Sequence, residues 1–98
     1  MVERERDIER ALVGMVKRQG GLCLKWVCPG WAGVPDRIIL LPGGRLIFAE
    51  VKRPHGGEIG KLQKWWAEKL KALGFKHLYI KNRADITMLE QYIKETRE

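Results

Sequence analysis

Pro35-Asp36-Arg37-Ile38-Ile39-Leu40-Leu41-Pro42-Gly43-Gly44-Arg45-Leu46-Ile47-Phe48-Ala49-Glu50-Val51-Lys52 is the stretch that decides the fold of this chain. Two short apolar runs, Arg37 to Leu41 and Arg45 to Val51, flank a Pro-Gly-Gly turn, the pattern of a β-hairpin. Ile38, Ile39, Leu40 and Leu41 leave neither face polar, and Leu46, Ile47, Phe48 and Ala49 do the same. Strands apolar on both faces belong in the middle of a sheet covered by helices.

Centring the turn on Gly43 pairs each residue with the one equally far beyond it, so Asp36 falls opposite Glu50. Directly opposed residues hold their Cβ atoms about 4.5–5.5 Å apart, and like charges there destabilise the pair. Alternation along the strand puts Lys52 on the face of Glu50. Two carboxylates and an ammonium thus meet at one end of an apolar hairpin, an arrangement that calls for a counter-charge. Mg²⁺ is held in proteins by one or two carboxylates together with waters and substrate phosphate. Such an ion lowers the pKa of bound water and stabilises charge on the phosphate. Lys52 is placed to orient or deprotonate that water, or to offset charge in the transition state. The constellation predicts phosphodiester hydrolysis.

Outward from the hairpin, Ile8, Leu12, Met15 and Val16 recur at helical spacing between Glu3 and about Arg18, and Gly20-Gly21 ends the segment. Leu22 to Val27 reads as a strand stopped by Pro29-Gly30, and Gly30 to Pro35 as a loop. After the hairpin comes a basic, glycine-containing loop from Arg53 to Gly60. Leu62, Trp66, Leu70 and Leu73 then mark a helix that Gly74 terminates. Trp66 joins that apolar face, while Trp65 falls at a flank or a subunit interface. His77 to Ile80 is a further strand, and Asp85 is the expected N-cap of a last helix carrying Met88, Leu89, Tyr92 and Ile93. The order αβββαβα predicts an α/β layered fold, with residues 1–98 as a single domain.

Composition bounds the function. Hydrophobic residues make up 45% of the 98 and charged residues 32%, an ordinary balance for a folded soluble protein. No apolar run approaches the ~20 residues needed to span a bilayer, and the charged N-terminus is unlike a signal peptide. The expectation is a cytoplasmic protein with no membrane association. Cys23 and Cys28, with only His55 and His77 as further soft ligands, lack the paired spacing of a zinc site and read as reduced thiols. The net charge of +7 points to a polyanionic partner, because neutralising phosphates releases counterions.

Pro35-Asp36 followed by Glu50-Val51-Lys52 resembles the motif of the PD-(D/E)XK nuclease superfamily. Pro29-Gly30, Gly33-Val34-Pro35-Asp36-Arg37, Leu41-Pro42-Gly43-Gly44 and Phe48-Ala49-Glu50-Val51-Lys52 resemble its VRR-NUC branch. Gln63 and Leu73-Gly74-Phe75 also fit the short stand-alone members, so the resemblance covers nearly the whole chain. It implies a restriction-endonuclease-like αβββαβ core, a central mixed sheet flanked by helices, here with an added C-terminal helix. It further implies a Mg²⁺- or Mn²⁺-dependent endodeoxyribonuclease acting on branched DNA such as four-way (Holliday) junctions or flaps, working as a homodimer, with no organic cofactor.

By the same resemblance Asp36, Glu50 and the Val51 carbonyl are the metal ligands and Lys52 is the catalytic lysine. A glutamate on the first helix is also implied near the metal. Glu5 lies angularly closer than Glu9 to the Ile8/Leu12/Met15 stripe and is preferred, with Glu9 second. Gln63 resembles the glutamine that packs near the lysine. Lys25, Arg37, Arg53, Lys61 and Lys64 are the expected phosphate contacts. His55 is a further basic group in the loop, and Trp31 is a candidate platform for an unpaired base. The competing reading is a non-catalytic nucleic-acid-binding module that keeps a nuclease fold.

Overall fold

In the computed structural model, which describes residues 4–53 and 56–97, β2 (Arg37–Leu41) and β3 (Arg45–Val51) form the expected hairpin. Arg37 pairs with Ala49, Ile39 with Ile47 and Leu41 with Arg45, the register set by a turn centred on Gly43. β1 (Leu22–Lys25) adds antiparallel to β2, and β4 (Lys76–Ile80) adds parallel to β3. The sheet is therefore mixed, in the order β1-β2-β3-β4, with the two apolar strands inside it. β1 is shorter than the run Leu22 to Val27 predicts, although the Trp26 N–H still donates to the Asp36 carbonyl at 2.9 Å.

α1 (Glu5–Arg18) forms because Ile8, Leu12, Met15 and Val16 line one side of a 3.6-residue repeat, and all four are wholly buried against the sheet. Its first turn is closed by the Arg4 N–H donating to the Asp7 carboxylate at 3.2 Å. At its far end the Gly20 N–H donates to the Lys17 carbonyl and the Gly21 N–H to that of Val16, the paired bonds that terminate a helix. α3 (Arg83–Glu95) packs beside α1 through Ile86, Leu89 and Ile93. Asp85 is not its N-cap. Asn82 caps the helix by accepting from the Asp85 N–H at 2.9 Å, while the Asp85 carboxylate reaches back to the Lys81 N–H at 2.8 Å. Met88, one step off the buried stripe, is exposed.

α1 and α3 share one face of the sheet with Cys23, Ile39, Leu41, Ile47, Ala49, Val51 and Ile80, and this is the main core. α2 (Lys61–Ala72) is the crossover between the parallel strands β3 and β4 and packs on the opposite face. A helix is about 10 Å wide and strands are about 4.8 Å apart, so one helix covers only about two strands. Helices therefore flank both faces as expected, but on the α2 face the β1–β2 side stays open, with Leu22, Leu24 and Leu40 57%, 47% and 38% exposed. The buried face of α2 also differs from the sequence reading. Ala67 and Leu70 turn inward and Trp66 is half-buried, while Leu62 and Leu73 face out.

Beneath α2, His77 is 5% exposed and lies edge-on to Tyr79, with ring centroids 4.9 Å apart. Neither ring nitrogen has a hydrogen-bond partner among the described residues, and burial lowers the pKa of the imidazole. The folded protein takes up that proton less readily than the unfolded chain, which binds it near pH 6.5. His77 therefore subtracts stability as pH falls below about 6.5, by up to about 1.4 kcal/mol per pH unit. Urea unfolding at stepped pH is expected to show that loss in the wild type and not in His77→Phe. Parallel pH profiles for the two proteins would refute it.

Candidate active site

The hairpin register carries Asp36, the residue before β2, to the end of β3 that bears Glu50 and Val51. One Asp36 carboxylate oxygen accepts from the Val51 N–H at 3.0 Å. The Asp36 carboxyl also lies beside that of Glu50, which is only 2% exposed. Burial, first of all, pushes the Glu50 carboxyl up to about 8. The contact with Asp36 and its charge push in the same direction, as does the charge of Glu5, while Lys52 opposes them. A second carboxyl beside a buried one disfavours its ionised form, and a nearby cation favours it.

Lys52 follows β3, its backbone N–H donating to the Ile80 carbonyl at 2.9 Å, and its side chain is half-buried. Gln63 comes to the site from the first turn of α2. Its Nε2 donates to the Glu50 carboxylate at 3.1 Å and its Oε1 accepts from the Gly60 N–H at 2.8 Å. One side chain thus both closes the start of the helix and fixes the rotamer of Glu50. Tyr79 stands beside Glu50 in the parallel pair β3–β4, and burial followed by the Glu50 charge raises its pKa.

The two candidate glutamates of α1 have different surroundings. Glu9 is held by Arg37, whose Nη2 and Nε donate to one carboxylate oxygen at 2.7 and 3.0 Å. Glu5 is exposed, and its charge acts on Glu50. Arg37 is only 12% exposed and also donates to the Cys23 carbonyl at 3.4 Å, so its guanidinium is engaged within the protein. Of the other expected phosphate contacts, Lys61 and Lys64 lie exposed at the start of α2 and Lys25 lines a recess with Asp36. Arg53 is exposed and donates to the Gly56 carbonyl at 3.1 Å. His55 lies outside the described residues.

Trp31 is 60% exposed and Trp65 50%, each edge-on to Trp66, whose indole N–H donates to the Ala32 carbonyl at 2.9 Å. The loop before Asp36 is thereby pinned to α2. Cys23 is buried, its thiol pushed up to about 11 by that burial, and Cys28 is half-buried; both are free thiols. Sequence reasoning missed Tyr79, which only the β3–β4 register brings to Glu50. It also missed Arg6 and Arg10, which share a face of α1 with Glu9 and whose spacing was a readable signal.

Among the described residues no three His, Cys, Asp or Glu side chains gather into a complete cage for a metal ion. The donor set fits a divalent ion of the kind that protein holds by few ligands, namely two carboxylates with room for water and phosphate. A cation held between Asp36 and Glu50 would offset the charge that burial and the neighbouring carboxyl disfavour on Glu50. No helix among the described residues is long and apolar enough to cross a membrane.

No protein-family model matches the chain. It is 51% identical over 51 residues to a protein of Acyrthosiphon pisum secondary endosymbiont phage 1 named "Putative nuclease p44". The match takes in 52% of this chain and 55% of that protein, so the chain spans about half the length of the curated relative. Among solved structures, one described as a VRR_NUC domain superposes with a TM-score of 0.84 and 23% identity, over 90% of this chain and 95% of that one. The resemblance carried by the Pro35-Asp36 and Glu50-Val51-Lys52 motifs thus extends to the architecture, and the chain has the fold of a VRR_NUC domain.

Proposed function

We propose that this protein is a divalent-metal-dependent nuclease that hydrolyses phosphodiester bonds in DNA. The observation that carries the reading is the buried Glu50 carboxyl brought beside Asp36 and Lys52, both half-buried, at the end of the hairpin. The similarity to a phage protein named as a nuclease and to the VRR_NUC fold supports it.

Asp36, Glu50 and the Val51 carbonyl would hold Mg²⁺ or Mn²⁺. When bound, the ion supplies Lewis-acid polarisation of the phosphate and a more acidic water. The chain's own groups do the rest. Gln63 fixes the Glu50 carboxylate, and the Val51 N–H fixes that of Asp36. Lys52 stabilises negative charge as it develops on the phosphate oxygens or takes the proton of the attacking water. Glu5 adds a further carboxylate at the edge of the site.

The proposed substrate is branched DNA, a four-way junction or flap, cut by a homodimer whose two sites make paired incisions. The exposed strip of Leu22, Leu24 and Leu40 supports a covering partner of this kind. The test is cleavage of labelled duplex, nicked, flap and four-way DNA with and without Mg²⁺ or Mn²⁺. Metal-dependent cutting of the branched forms is expected. Asp36→Ala and Lys52→Ala are each expected to lower the rate at least about a hundredfold, the scale of losing one electrostatic stabiliser. Cutting that survives either substitution would remove the assigned mechanism, and salt-sensitive binding without cutting would return the non-catalytic reading. A monomer by light scattering under cleavage conditions would remove the dimer.

A further inference from the structure

A recess of about 320 Å³ opens between α1 and the β1–β2 pair, lined by Arg6, Glu9, Arg10, Val13, Lys25 and Arg37. The four α1 residues are spaced to share one helix face, and Lys25 and Arg37 are direct partners across β1 and β2. The carboxylate of Glu9 is already taken by Arg37 at 2.7 Å. Arg6, Arg10 and Lys25 are exposed and have neither an ion-pair nor a hydrogen-bond partner among the described residues. The recess thus carries four cations against one carboxylate, a local surplus of three positive charges.

This recess is not isolated from the carboxylate site. A second one, of about 220 Å³, is lined by Glu9, Lys25, Trp26, Val27 and Asp36 and shares Glu9 and Lys25 with the first. One wall therefore leads from Asp36 past Lys25 to Arg6 and Arg10. Its polar side is basic and its other side, Trp26 and Val27, is apolar. That is the profile of a surface for a sugar–phosphate strand, where phosphate contacts fix position without reading sequence.

We propose that this groove is a second phosphate subsite, in which Arg6, Arg10 and Lys25 clamp a backbone phosphate of the substrate strand to one side of the linkage that is cut. The inference rests on the nuclease reading above and deepens it by adding a direction in which the strand leaves the site. Arg37 acts as a positioning residue, since it neutralises Glu9 and keeps that carboxylate from repelling the phosphate.

The test compares the wild type with the double variant Arg6→Ala/Arg10→Ala, both positions being exposed and alanine being a good helix former. Binding to a cleavable DNA is measured without divalent metal across a range of salt. Affinity is expected to fall about tenfold or more at low salt, and the slope of log K against log salt to shrink by roughly 1–2. Cleavage at subsaturating protein is expected to fall in step with the lost affinity. Neutral methylphosphonates are then stepped along the strand one linkage at a time. One or two linkages on a single side of the cut should weaken the wild type and leave the double variant unaffected. A wild type that cuts, paired with a variant of unchanged affinity and salt slope, overturns the subsite alone. Sensitivity spread evenly over all linkages overturns it too. A wild type that cuts no DNA overturns the nuclease reading and the subsite with it.

Discussion

Glu50→Gln is expected to abolish metal-dependent cleavage and, at the same time, to stabilise the metal-free protein at neutral pH. Glu50 is nearly inaccessible to solvent, and its carboxyl is pushed up to about 8, chiefly by burial and then by Asp36. In the unfolded chain the same group ionises near its ordinary value of 4.5. The folded state therefore holds a proton that the unfolded state releases. Stability attributable to this group is fully present below about pH 4.5, declines as pH rises, and is lost above about 8. Gln keeps the shape and the acceptor for Gln63 without the charge. The variant should match the wild type near pH 4.5 and exceed it by about 2–4 kcal/mol near pH 8.5. For a chain of this length that is a rise in Tm of the order of 10 °C.

Calorimetry at the two pH values measures this directly. Added Mn²⁺ supplies the missing test of purpose, since it should raise the Tm of the wild type and leave that of Glu50→Gln unchanged. A variant that gains no stability at pH 8.5, or one that still cuts, would show that the Asp36–Glu50 pair is not where the metal acts. Stability surrendered at a site and recovered on removing its charge is the mark of a functional group.

The second large effect is expected at Gly33. Its φ is +81°, in the left-handed region, and a Cβ built there would lie 2.5 Å from the Leu62 Cβ and 3.0 Å from the Leu62 carbonyl carbon. Left-handed backbone costs a non-glycine residue about 1–2 kcal/mol by itself. Here the added atom also meets the first turn of α2, which cannot swing aside as a flexible side chain would. Gly33→Ala is expected to lose about 2–4 kcal/mol in all. It should also slow cleavage about tenfold, because the displaced turn carries Gln63, the side chain that holds Glu50. Gly30→Ala is the control. Gly30 has a similar φ of +85° but nothing within 4 Å of a built Cβ, so its variant should lose only about 1–2 kcal/mol and cut normally. Equal losses of stability in the two variants, or normal cutting by Gly33→Ala, would detach the loop from the site.

The sequence by itself determined the hairpin and through it the meeting of Asp36 with Glu50. A three-residue turn and strict alternation along two strands are local properties, and they fix the register without knowledge of the rest of the chain. The buried stripe of α1 was legible for the same reason, being written in a single period. Tertiary structure decided how further partners meet that pair. Gln63 and Tyr79 arrive at Glu50 through the α2 crossover and the β3–β4 register, which depend on how α2 lies across the sheet. Leu62 and Leu73 lose their expected place inside because only two strands' width lies beneath that helix. Glu5 and Glu9 differ by one helical turn, and their surroundings diverge because Arg37 approaches from a strand 28 residues away and engages Glu9. Short-range pattern carries geometry only as far as hydrogen bonds and periodicity reach, whereas the choice among like side chains is made by packing across the core.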